Sequence, residues 1–226
     1  MSGSITIHRE LIQGTDEWLA ARVGLLTASE VKRIMTPKTL AFSQNDKTKA
    51  HVYEIAAQIL NKHVEPQYVS DAMMRGSADE VYARTIYSER FAPVTEVGFI
   101  TNDAFGFTLG YSPDGLVGDD GLIEIKSRCQ KYQFRTIVDQ GVPDEYILQI
   151  HFGMLVSDRQ WCDFISYSGG MPFYVSRVER NNEMDKKITD AAASFNTAVS
   201  QQMATYFENA ETLGDTERII EQEMYV

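Results

Sequence analysis

Helical patterning on both sides of a run of short strands predicts an α/β or α+β domain with a central mixed β-sheet flanked by helices. Three observations carry this. Val52, Ile55, Ala56, Ile59 and Leu60 recur at helical spacing. β-branched and aromatic segments crowd between Pro93 and Lys126. A hairpin pattern about Gly169-Gly170 is followed by one long helical segment.

The elements follow in order. Thr15 to Gly24 reads as a short helix with a threonine cap and a closing glycine. Thr27-Ala-Ser-Glu30 is a capping box that opens a second helix running through Met35. Pro37 to Asp46 is polar and loop-like, Lys49 to Asn61 is helical, and another helix starts near Asp71 and reaches about Arg90. Val94–Ile100, Phe105–Tyr111, Leu116-Val117 and Leu122–Lys126 read as strands, with Asp119-Asp120-Gly121 as a hairpin turn between the last two. Helices resume at Gln130–Val138 and at Pro143–Val156, where proline suits a first turn. Trp161–Ser168 and Phe173–Glu179 form the hairpin, and a helix from about Asn182 to Asn209 leads into an acidic tail.

The chain has 226 residues, 43% of them hydrophobic and 23% charged, which is the composition of an ordinary soluble protein. The expectation is one domain over residues 1–226, with a C-terminal helix and acidic tail from about 182. No apolar run is long enough to span a bilayer and no secretory signal opens the chain. Cys129 and Cys162 read as reduced thiols, too few for a four-thiolate iron–sulfur cluster. The expected location is therefore a reducing cytosol.

The net charge of −11 argues against nucleic acid when taken alone. The charge is uneven, however. Arg22, Lys32, Arg33, Lys38, Lys47 and Lys49 stand against only Glu30 and Asp46 over residues 22–49. Lys126, Arg128, Lys131 and Arg135 stand against only Glu124 over residues 123–135. Solvated helix faces explain such runs, and so does a basic surface on an acidic body.

The chemistry sits at Ser112-Pro-Asp114-Gly and Glu124-Ile-Lys126. Glu124 and Lys126 are two apart in an expected strand, so both side chains leave the same face. Asp114 lies just across the hairpin. Two carboxylates and an ammonium converging on one small volume are costly in a core. A magnesium ion needs such a set, because it takes carboxylate oxygens and keeps open positions for phosphate. It would polarise the scissile phosphate, with a second ion at the leaving oxygen. Lys126 would orient or deprotonate the attacking water. A lone Glu-x-Lys triplet is usually a surface pair, but here the Pro-Asp-Gly, the hairpin and the apolar Leu122, Ile123 and Ile125 agree with an active strand.

Four blocks in order carry a resemblance: Trp18-Leu-Ala-Ala-Arg-Val-Gly-Leu-Leu-Thr-Ala-Ser29; Arg75-Gly-Ser-Ala-Asp-Glu80; Ser112-Pro-Asp-Gly with Leu122-Ile-Glu-Ile-Lys126; and Tyr146-Ile-Leu-Gln149-Ile-His-Phe. In these the sequence resembles the phage lambda exonuclease family, the YqaJ-like viral recombinases of the PD-(D/E)xK superfamily. The resemblance implies a restriction-endonuclease-like core and a 5′-to-3′ exonuclease that degrades one strand of duplex DNA to 5′-mononucleotides. A 3′ single strand would be left for recombination by annealing. It implies two Mg2+ ions, with Mn2+ able to substitute, held by Asp114, Glu124, the carbonyl of Ile125, and Glu80. It implies that Arg22 and Ser29 grip the 5′-phosphate, with Ser112 and Gln149 also facing DNA. It further implies a ring-shaped homotrimer on double-stranded DNA ends and a single-strand annealing recombinase as partner.

Each residue has a plainer reading as well. Glu80 alone reads as a solvent-facing helix residue, Arg22 as a surface charge, Ser29 as a cap and Gln149 as a satisfied core amide. Met73 and Met74 stand where the family places an apolar wedge that splits the terminal base pair, and they also suit a helix core. Trp18 reads as core. His151 stands where the family often has a second glutamine, and it reads equally as a packed histidine. Lys38 is the only base in a loop that usually carries an arginine. Two rivals share the motif or the fold: another PD-(D/E)xK endonuclease or RecB-like repair nuclease, and a non-catalytic DNA-binding protein.

Overall fold

The computed structural model describes residues 4–65 and 71–217. Strand β1 (Ile5–His8) precedes helix α1 (Asp16–Arg22), strand β2 (Leu26–Thr27) and a 3₁₀ helix (Ala28–Arg33). Helices α2 (Asp46–Asn61) and α3 (Asp71–Arg90) follow. Next come β3 (Val94–Thr95), β4 (Phe99–Asn102), β5 (Leu109–Tyr111), β6 (Gly115–Val117) and β7 (Gly121–Ser127). Helices α4 (Gln130–Asp139) and α5 (Asp144–Ser157), strands β8 (Trp161–Tyr167) and β9 (Tyr174–Glu179), and helix α6 (Asn182–Ala210) complete the order.

The fold is mixed α/β, as the pattern predicts, but the strands divide between two sheets. One runs β1-β4-β5-β2 and the other β3-β6-β7-β8-β9. Both are mixed: β2 lies parallel to β5, β7 lies parallel to β8, and the remaining pairs are antiparallel. The parallel β7–β8 pair needs a crossover, which α4 and α5 provide. The expected strand Val94–Ile100 is split because its two halves serve different sheets. The expected strand Phe105–Tyr111 shortens to its last three residues because Gly106 turns the chain at φ +80°. Strand β1 lacked a sequence signal of its own; its side chains are half-exposed, and β4 supplies its pairing.

The capping-box expectation is also corrected. Thr27 makes no side-chain capping bond, and the segment after it is 3₁₀ rather than α. The Thr27 hydroxyl instead faces Arg22 and Ser29.

Strand β7 explains where the site sits. Leu122 and Glu124 leave one face, while Ile123 and Ile125 leave the other and pack with Ala83 and Tyr87 of α3. Leu122 joins the main core, which gathers α5, the 3₁₀ helix, α2 and α6. Helix α5 is apolar nearly all round because it is covered nearly all round. At Gly153 it approaches β5 so closely that a Cβ would lie 2.7 Å from the Tyr111 ring. Among the described residues, no helix is long and apolar enough to cross a membrane.

Candidate active site

Asp114 precedes β6, whose Gly115 pairs with Ile123, so the hairpin sets Asp114 beside Glu124. Its Oδ2 accepts a hydrogen bond from the Ile125 backbone N–H at 2.6 Å. Glu124 is 1% exposed, yet its carboxylate is fully engaged. Lys126 Nζ and Gln149 Nε2 each donate to Oε1 at 2.6 Å, and the Tyr111 hydroxyl donates to Oε2 at 3.3 Å. Glu124 and Lys126 thus share a face, as the two-residue strand period requires.

The electrostatics are those of a crowded anionic site. Burial, and then the neighbouring Glu124 and Glu80 carboxylates, push Asp114 well above the usual carboxylate range. Burial likewise raises Glu80, with Glu124 adding to the rise and Arg84 opposing it. Burial alone would lower Lys126, but Glu124 and Asp114 hold its ammonium above its ordinary range. Carboxylates gathered this closely suit a divalent cation, whose charge relieves the repulsion. Asp114 and Glu124 bring two carboxylates together, the kind of oxygen donor that a hard divalent cation takes, with Glu80 nearby on α3.

A cavity of about 200 Å3 links this centre to a second cluster. Its lining includes Arg22, Ser29, Ser112, Asp114, Glu124, Lys126 and Gln149, so seven expected site residues meet in one space. Arg22 Nη1 donates to Ser112 Oγ at 3.1 Å and Nη2 to Thr27 Oγ1 at 3.2 Å. The guanidinium lies 4.2 Å from the Trp18 ring centroid. Burial lowers the Arg22 pKa, with Glu30 opposing. Among the described residues it has hydroxyl and ring partners but no carboxylate hydrogen bond, an expensive arrangement for a recessed charge unless an anion completes it.

Other expected residues fall elsewhere. Glu80 pairs with Arg84 and lines a separate cavity of about 410 Å3 on the far side of Asp114. His151 is buried in α5 and is absent from the catalytic cavity; burial lowers its pKa while Asp185 opposes. The packed reading therefore fits it. Lys38 is exposed on a turn. Met74 is exposed on α3, so its helix-core reading does not hold. The side chain of Met73 lies outside the described residues, as does the tail from Arg218.

Sequence reasoning missed several participants. Trp18, read as core, lines the cavity and donates Nε1 to Ser112 Oγ at 3.0 Å. Arg84 Nε donates to the Asp114 carbonyl at 2.8 Å while its other nitrogens pair with Glu80 and Glu96. Nothing in the local sequence marks Tyr111, and little marks Arg84, because their contacts run across the fold. The spacing Glu80-x-x-x-Arg84 was the one available hint. Glu30, His51 and Glu54 also bring possible metal-ligand atoms within 4.8 Å of one another. Arg33 already bridges the two carboxylates, at 3.0 Å to Glu30 and 2.7 Å to Glu54. That group is thus a neutralising network that ties the 3₁₀ helix to α2.

A glutamate and a lysine on one strand, with an aspartate just across the hairpin, in mixed sheets flanked by helices, form an arrangement suited to a nuclease. Residues 17–160 match the YqaJ-like viral recombinase domain, and the chain belongs to that family. Its fold is similar to the alkaline exonuclease (LHK-Exo) from Laribacter hongkongensis, with 33% identity and a TM-score of 0.78 over 88% of this chain and 100% of that one. The same exonuclease in complex with dAMP aligns with 34% identity and a TM-score of 0.79, over 88% of this chain and 100% of that one. A phage-related exonuclease from Haemophilus somnus 129PT shares the fold at 15% identity and a TM-score of 0.58, over 80% of this chain and 96% of that one. No curated protein sequence matches the chain.

Proposed function

We propose that residues 1–226 act as one Mg2+-dependent 5′-to-3′ exonuclease on double-stranded DNA. The observation that carries this is the Arg22 pocket, a phosphate-sized set of donors without a carboxylate, opening into the same cavity as Asp114, Glu124 and Lys126. An anchor for a terminal phosphate beside a hydrolytic centre favours cleavage from an end over cleavage within a strand. The dAMP complex of the Laribacter exonuclease, 34% identical, is consistent with a nucleotide seat in this fold.

Asp114, Glu124, the Ile125 carbonyl and Glu80 would hold two Mg2+ ions, or Mn2+ in their place. When bound, such ions supply Lewis-acid polarisation of phosphate and water. Water attacks the phosphorus between the first two nucleotides and the P–O3′ bond breaks. A 5′-mononucleotide leaves with its new 3′-hydroxyl, and the phosphate stays on the shortened strand. Each turnover therefore regenerates the 5′-phosphate that Arg22, Ser29 and Ser112 bind. Lys126, held protonated against Glu124, orients water and balances charge rather than acting as the base in that state. Gln149 fixes the Glu124 carboxylate and lies within reach of phosphate in the cavity. Met74, exposed on α3, with Met73 beside it in the chain, would act as the strand-separating wedge.

The family resemblance supports a homotrimeric ring around DNA, a single-strand annealing recombinase as partner, and work in the cytoplasm of a bacterial or phage-infected cell. A ring also answers the charge objection: topological linkage holds an acidic protein on an acidic polymer without strong adhesion. The test is mononucleotide release from blunt linear duplex and from covalently closed circles in Mg2+. Release from the linear form alone supports the reading, and nicking of the circles contradicts it.

A further inference from the structure

The catalytic cavity is small for a nucleotide. It holds about 200 Å3, whereas sites for small ligands run to about 300–1,000 Å3. Its lining is mostly hydroxyl, amide and charged groups, which suit phosphates and the sugar between them. The second cavity, of about 410 Å3, falls within the ligand range and shares Gln13 and Asp114 with the first. A sugar held between Arg22 and Asp114 can therefore carry its base from one cavity into the next.

The polar side chains of this second cavity that touch the turn at Pro113 and Asp114 are already committed. Arg84 donates to the Asp114 carbonyl and pairs with Glu80 and Glu96, and the Gln13 amide donates to the Pro113 carbonyl at 3.2 Å. The apolar lining is free. Ile12 and Val81 line the cavity and are 70% and 56% exposed. Both stand on fixed backbone. The Ile12 carbonyl accepts from the Thr15 N–H at 3.2 Å and from its hydroxyl at 2.9 Å. Just before it, the chain lies so close to Gly98 that a Cβ there would fall 1.9 Å from the Leu11 carbonyl oxygen. Val81 follows Glu80 within α3. Scattered exposed apolar residues are ordinary. Two held in one cavity beside a hydrolytic aspartate offer apolar area for a ligand to cover.

We propose that Ile12 and Val81 pack on the base of the 5′-terminal nucleotide while its phosphate rests at Arg22. The proposal rests on the exonuclease reading above and says where such an enzyme puts the base. Aliphatic contact with a base's face treats every base alike, because sequence is read by hydrogen bonds to base edges. An exonuclease that digests any sequence needs that tolerance. The same contact holds the base out of the duplex and offsets part of the cost of unstacking it.

The test compares first-turnover release in Mg2+ from 5′-phosphorylated duplexes that differ only in the terminal residue. That residue is an unpaired thymine nucleotide, an unpaired adenine nucleotide, or a tetrahydrofuran residue without a base. None of these ends has a terminal pair to melt, so differences report the base itself. Wild type should release the thymine and adenine nucleotides alike, and the baseless residue roughly tenfold more slowly. Ile12→Ser with Val81→Ser should slow both nucleotides to about the baseless rate, and the loss of base and the loss of wall should not add. Both side chains are exposed, so the melting temperature should hold. Baseless ends released by wild type as fast as the others overturn the base seat and leave the exonuclease reading intact. A doubly substituted chain that slows none of the ends, or all of them equally, does the same. A wild type that releases no mononucleotide from any end overturns the exonuclease reading and the seat with it.

Discussion

Asp114 is held where its charge costs the metal-free protein stability. Its pKa is raised by burial and by Glu124 and Glu80, so the native site favours the protonated carboxyl. In the unfolded chain the group titrates near about 3.9. Stability is thus greatest below that value and falls as pH rises through the higher native value. In chelator, the melting temperature should fall with increasing pH over this range. Added Mg2+ should restore it, most strongly at the higher pH. Asp114→Asn keeps an acceptor for the Ile125 N–H but removes the charge. It should abolish this Mg2+ effect and stabilise the metal-free protein by about 1–3 kcal/mol. It should also cut cleavage more than about a thousandfold, since several kcal/mol of transition-state stabilisation are lost. Unchanged melting with lost activity would leave the electrostatic account unsupported.

Arg22 gives a second residue-level expectation. With hydroxyl and ring partners but no carboxylate, it should serve a phosphate more than the fold. Arg22→Ala should slow 5′-phosphorylated duplex by roughly 10- to 150-fold, from a charge-assisted bond worth about 1.5–3 kcal/mol. Release of the first residue from ends carrying a 5′-hydroxyl should change little, since the 5′-phosphate appears there only after that step, and Arg22→Lys should recover only part of the loss. Single-turnover rates of first release from the two kinds of end, with melting temperature as control, check this. Equal loss on both would assign Arg22 to stability.

Among the elements, β7 and α5 form the frame. The tight approach at Gly153 lets Tyr111 reach Glu124. Gly153→Ala should cost about 1–3 kcal/mol by overpacking, despite alanine's better helix propensity. The displaced ring should lower kcat while leaving the KM for duplex nearly unchanged, which steady-state rates would show. The sequence made β6, β7 and α5 readable because their signals are local: a hairpin turn, a two-residue period and an apolar helical run. The shared strand face of Glu124 and Lys126 was readable for the same reason. Trp18, Tyr111 and Arg84 were not readable, since each joins the site through residues 30 or more positions away or through a strand contact set by packing. The segment from Ala28 reads as a capped α-helix but is 3₁₀, because Thr27 spends its hydroxyl on Arg22 and Ser29, and Glu30 its carboxylate on Arg33, instead of on the helix end.

For the whole molecule, a net charge of −11 must coexist with a DNA substrate. Basic side chains are partly consumed inside the fold, Arg33 by Glu30 and Glu54, and Arg84 by Glu80 and Glu96. Acids outnumber bases by 32 to 21, so grip should come from the terminal phosphate, bound metal and encirclement rather than from diffuse phosphate contact. Calcium should then support binding to duplex ends without turnover, because it fills oxygen sites with looser geometry than magnesium demands. Gel-shift and cleavage assays with each ion would check this, and robust calcium-driven cleavage would count against the two-metal account. The most direct measurement of the central claim uses a blunt linear duplex, labelled at the 5′ or the 3′ terminus of one strand, in Mg2+. The account predicts that the 5′ label appears at once as a mononucleotide while the 3′ label stays on a long, steadily shortening strand. Early release of the 3′ label, or labelled internal fragments, would contradict it.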